Sequence, residues 1–103
     1  MGNDVYIFTF DEKASWAEVR SALAVSTYAA EGIHGRARVI LDASHAFDEE
    51  KRACVIDAGT PVGLTIAQIF TALLLRRVGE GAFKVARIFA SLTEITPPSG
   101  GAQ

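Results

Sequence analysis

Hydrophobic and polar positions set out the elements. From Asp4 to Phe10, Val5, Ile7 and Thr9 alternate with Tyr6, Phe8 and Phe10. Nearly every residue is β-branched or aromatic, and both faces are apolar, which predicts a central strand. The period then changes. Trp16, Val19, Leu23, Ser26 and Ala30 fall on one side of a helix. Ser15 and Glu18 form a Ser-x-x-Glu capping box at its start, and Gly32 is the expected stop. The opposite side carries Ala17, Ala24, Val25 and Tyr28, so it is weakly polar too.

The pattern from Ala37 to Phe47 predicts a second strand, and Arg52 to Ala58 a third, joined as a hairpin. Val39, Leu41, Ala43 and Phe47 share one face of the second strand, and Cys54, Ile56 and Ala58 one face of the third. A loop over Asp48–Lys51 pairs Phe47 with Arg52. It sets Asp42 opposite Asp57 on the outer face and His45 opposite Cys54 on the inner one. A two-residue loop at Asp48 and Glu49 would make the two aspartates diagonal neighbours.

Ala58 to Leu75 carries no charge. Thr60 is placed to cap a helix with Pro61 at its first position, and Gly79 and Gly81 end it after Val78. Val62, Ile66, Ile69, Phe70 and Leu73 cluster on one side of this helix. Leu64, Ala67, Leu74, Leu75 and Val78 cluster on the next. Only Thr65, Gln68 and Arg76 are plainly polar, so the apolar arc covers about two-thirds of the circumference, beyond the stripe one core needs. From Val62 to Val78 it spans roughly 25 Å at ~1.5 Å per residue, short of a ~30 Å hydrocarbon core. The expectation is a helix buried on one side by its sheet and on the other by a partner subunit. Ala82 to Phe89 reads as a fourth strand.

The order β-α-β-β-α-β predicts an α+β fold, a ferredoxin-like sandwich with two helices on one face of a four-stranded antiparallel sheet. A single domain is expected over residues 1–94, with a Pro/Gly-rich tail over 95–103. No motif here identifies a family, and the architecture alone licenses no function.

Composition sharpens the picture in three ways. Of 103 residues 50% are hydrophobic, more than so small an interior needs, which points to self-association, by default as a two-fold dimer. Ten basic against twelve acidic side chains give a net charge of −2 with no basic stripe, so no nucleic-acid partner is expected. Cys54 is the single cysteine, excluding an internal disulfide. With no membrane helix and no signal-like start, a cytoplasmic protein is expected.

Candidate chemistry is sparse. Facing carboxylates at Asp42 and Asp57 would need a cation, a shared proton or a nearby lysine, and Lys84 on the fourth strand is available. With Tyr6 and Phe8 these residues make the candidate ligand site. The candidate interface is Leu64, Ala67, Leu74, Leu75 and Val78. His45 with Cys54 invites a thiolate–imidazole reading, but an inward cysteine is ordinarily a small core residue. Glu31 with His34 has a metal-pair spacing in one copy only, interrupted by Gly32, so no metal or cofactor is expected. Thr60 is read as a cap, with an anion site at this helix start the lesser reading.

Three functions follow. The preferred one is a non-enzymatic, homo-oligomeric small-molecule-binding or regulatory domain, with its pocket on the outer sheet face. The second is a small dimeric enzyme with Asp42 or Asp57 as general base. The third is a protein-interaction module docking through the apolar helix.

Overall fold

The structure, a computed structural model, describes residues 2–91. The tail expected over 95–103 lies outside them. The chain is α+β: a four-stranded antiparallel sheet with three helices. In chain order these are β1 (Gly2–Phe10), α1 (Trp16–His34), α2 (Arg36–Asp42), β2 (His45–Asp48), β3 (Ala53–Asp57), α3 (Pro61–Arg77) and β4 (Phe83–Ser91), with a single 3₁₀ turn at Glu80–Ala82 before β4.

The strands lie in the order β2-β3-β1-β4, every neighbouring pair antiparallel. β1 is central, as its two apolar faces predict. Phe8, Phe10, Cys54 and Ile56 join Val19, Leu23, Ala30, Val62, Ile66, Phe70 and Leu74 in one core. The Phe8 ring meets Phe70 edge-on at 4.9 Å. Alternation therefore turns Val5, Ile7, Thr9 and Val55 to the other face, which no helix among the described residues covers.

Local signals hold where they were strongest. The Ser15 hydroxyl accepts from the Glu18 amide at 3.3 Å, and Thr60 from the Gly63 amide at 3.0 Å, with Pro61 in the first turn. α1 and α3 run antiparallel. His34 Nε2 bonds Thr65 Oγ1 at 2.8 Å near one end, and Arg77 reaches Ser21 (3.2 Å) and Glu18 (3.7 Å) at the other.

Three expectations are corrected. α1 passes through Gly32 and ends at Gly35, whose φ of 90° and ψ of 150° suit glycine alone. The predicted second strand is mostly helix. Arg36–Asp42 forms α2, burying Val39 while Ile40 and Leu41 stay exposed, and only His45–Asp48 pairs in the sheet. A short apolar run such as Val39-Ile40-Leu41 is ambiguous by period. Good helix formers around it and the Arg38–Asp42 ion pair at i,i+4 favour the helix. The hairpin register moves as well: Phe47 faces Cys54 and His45 faces Ile56, with Glu49–Arg52 forming the turn.

Arg52 closes that turn with φ 49°. Its guanidinium donates to the carbonyls of Asp11 (2.9 Å) and Ala14 and lies 5.5 Å from the Trp16 ring. It thereby ties the hairpin to the chain entering α1.

Candidate functional site

The five residues of the expected ligand site do not converge. Asp42 sits on α2, paired with Arg38 at 3.2 Å. Asp57 ends β3, where its Oδ1 accepts the Gly59 amide at 2.8 Å as a turn-forming carboxylate. Their opposition is lost because residues 36–42 are helical. Phe8 is fully buried in the core, and Tyr6 shares its helix-facing side. Lys84 lies on the open side, opposite Thr9 and far along the strands from Asp57, which faces Val5. The expected interface also divides. Ala67 and Leu74 are buried within the domain and Val78 packs partly on its core, whereas Leu64 and Leu75 are exposed.

His45 and Cys54 are not strand partners. Cys54 is wholly inaccessible, and burial pushes its thiol pKa up from 9.0 to about 12, so it is a core residue and not a nucleophile. His34 is engaged with Thr65 across the helix pair. Among the described residues no group of three or more His, Cys, Asp or Glu is placed to hold a metal ion. Nor is any helix among them long and apolar enough to cross a membrane.

The structure assembles a different candidate site. Arg20 and Ala24, Ala24 with Thr27 and Tyr28, and these two with Glu31 are each three or four residues apart, so the five form one stripe along α1. His45 and Phe47 share the side of β2 that faces this stripe. Between them runs a groove of about 460 Å³, floored by Leu23, Ala24 and Phe47 and rimmed by Arg20, Thr27, Tyr28, Glu31 and His45. Phe47 is held from behind by Trp16, edge-on at 5.4 Å. The Arg20 guanidinium carbon stands 5.5 Å from the Phe47 centroid, a cation–π contact, and the His45 ring lies 6.5 Å from the same ring. Neither Arg20 nor Glu31 forms an ion pair among the described residues. The groove thus offers an aromatic floor, an uncommitted cation at one end and an uncommitted carboxylate at the other.

A second groove, of about 360 Å³, lies between α3 and the β1–β4 pair, lined by Tyr6, Ala67, Gln68, Thr71 and Val85. It is mostly apolar. Near it Asp4 accepts from Arg87 at 2.6 Å, a hydrogen bond that raises the guanidinium pKa still further.

Sequence reasoning missed the α1–β2 groove. The stripe from Arg20 to Glu31 was legible as the non-core side of α1. That it faces His45 and Phe47 depends on where β2 starts, which is set by residues 36–42 being helical. Comparison with protein-family models, with curated proteins and with solved structures finds no match for this chain.

Proposed function

We propose that this chain is a non-enzymatic small-molecule-binding domain that works as a homo-oligomer, with the α1–β2 groove as its ligand site. The observation that carries the reading is the pairing of an aromatic floor, Phe47, with the uncommitted Arg20 guanidinium above it. The volume suits a small organic molecule, and a few polar groups around an apolar floor are the usual composition of such a site. The ligand class is an anion with a flat or aliphatic body: its carboxylate meets Arg20, and its body lies on Phe47, Leu23 and Ala24. Binding is preferred to catalysis because the Cys54 thiol is buried and protonated, and Asp42 and Asp57 are occupied by Arg38 and by the Gly59 turn.

The fold belongs to the same proposal. Read from the other edge, the strand order is β4-β1-β3-β2, which supports a ferredoxin-like βαββαβ sandwich with α2 inserted between α1 and β2. A net charge of −2 supports a small molecule over nucleic acid as partner, and a single buried thiol supports a cytoplasmic setting.

The test is an amide chemical-shift titration with benzoate and with hexanoate. Shifts are expected at Arg20, Tyr28, His45 and Phe47, and Arg20→Ala should weaken binding roughly tenfold or more, the usual worth of a charge-assisted hydrogen bond. Saturable shifts confined to the α3–β4 groove, or no saturable shift, would overturn the assignment.

A further inference from the structure

The open face of the sheet is organised in rows of directly paired residues. One row reads Asp48, Ala53, Thr9, Lys84 across β2, β3, β1 and β4. The next reads Ala46, Val55, Ile7, Ala86. The third brings Asp57, Val5 and Ile88 together. The middle of this face is apolar and incompletely covered: Val55 and Ile88 are 36% and 44% exposed, and Ala46 and Ala86 are exposed as well. Its charges sit at the margins. Asp48 and Lys84 occupy opposite ends of one row, and neither forms an ion pair among the described residues. Among the described residues the Asp48 carboxylate accepts only the Lys51 amide, at 3.2 Å.

We propose that a second copy of this chain covers this face, the two sheets stacking about a two-fold axis parallel to the strands. This rests on the homo-oligomer half of the reading above and names its surface. Such an axis exchanges β2 with β4 and β3 with β1 while leaving each row at its own height. Asp48 of each copy then meets Lys84 of the other, giving two reciprocal ion pairs. Val55 meets the second copy's Ile7, bulky against bulky at the centre, and Ala46 meets the second copy's Ala86, small against small at the flanks. A row reading small-large-large-small matches its own reverse, and a row ending in opposite charges does so by charge. A two-fold interface requires both kinds of self-complementarity.

The distances agree. Stacked sheets lie about 10 Å apart with strands crossing near 30°, and an extended lysine facing an aspartate spans that gap. Four strands ~4.8 Å apart and about five residues long present roughly 20 by 17 Å per copy. That area belongs with the smaller, reversible interfaces, so the dimer dissociates on dilution.

The experiment is sedimentation equilibrium of the full chain over a wide concentration range, at low and high salt. It compares wild type, Asp48→Lys, Lys84→Glu and the double charge exchange, with folding of each checked by circular dichroism. A wild-type dimer that weakens with salt is expected. Each single variant should raise the dimer Kd about tenfold or more, since it sets like charges together twice. The double exchange should restore the wild-type Kd. Ile7→Glu serves as a second probe, of the centre, and should likewise raise the dimer Kd about tenfold or more. A dimer indifferent to the single variants, or a double exchange that fails to rescue, overturns this face while self-association stands. A monomer at every concentration overturns both, leaving the groove assignment to its own titration.

Discussion

At the scale of residues, the most informative side chains are those whose surroundings contradict their usual chemistry. Cys54 is one. Burial beneath the helices pushes its thiol pKa up from 9.0 to about 12. Above pH 9 the unfolded chain loses this proton while the folded chain keeps it. The folded state then binds more protons, and stability falls as pH rises, up to about 1.4 kcal/mol per pH unit until the folded pKa is reached. Urea unfolding of wild type and Cys54→Ala between pH 8 and 11 should show this: the difference between them narrows as pH rises. A constant difference would mean that the thiol titrates normally. Trp16 is another such residue. Its indole N–H is buried without a hydrogen-bond partner among the described residues, so the contacts with Phe10, Phe47 and Arg52 must offset the lost hydration. That Cys54 would be a core residue was readable from its strand position. The role of Arg52 was not, because its partners Asp11 and Ala14 lie about forty residues earlier in the chain.

Elements show where local rules suffice and where they do not. Thr60, Pro61 and the uncharged run after them specify α3, and it forms as read. Its closeness to β3 rests on Gly63. A β-carbon there would fall 1.9 Å from the Asp57 carbonyl oxygen, so α3 would have to move off the sheet. Gly63→Ala should cost roughly 3 kcal/mol or more. Gly32→Ala, inside α1 with open space around it, should instead stabilise by about 0.5–1 kcal/mol. Thermal melts of the two variants check the contrast, and equal effects would refute the packing described. Arg36–Asp42 marks the limit of local reading. Its apolar triplet suits a strand or a helix, and the choice falls to helix where Val39 can reach the core between α1 and α3 while Gly35 turns the chain.

For the whole molecule, burial is unequally shared. β1 pairs on both sides and backs onto α3, whereas β2 is a four-residue edge strand with little of it buried, and α2 buries only Val39. Local opening should follow that division. In hydrogen exchange the amides of β1, β3 and the middle of α3 should be slowest, exchanging only through global unfolding. Those of α2 and β2 should open at lower free energy, carrying the floor of the α1–β2 groove with them. Protection in β2 equal to that in β1 would refute this. Because the groove and the open sheet face lie on opposite sides of the sheet, a ligand at one leaves the other free for a second copy.

By itself the sequence determined the starts of α1 and α3, the central strand and the apolar composition. Each of these depends on residues within a turn or two of one another, or on composition, which tertiary contacts seldom overrule. Only the tertiary structure decided the helix at 36–42, the hairpin register and the dispersal of Asp42, Asp57, Tyr6, Phe8 and Lys84. The same holds for the convergence of Arg20 and Glu31 with His45 and Phe47. All four depend on which distant segment a side chain meets. A slip in the start of one strand changes every such meeting, because side chains alternate faces and pairing sets their neighbours.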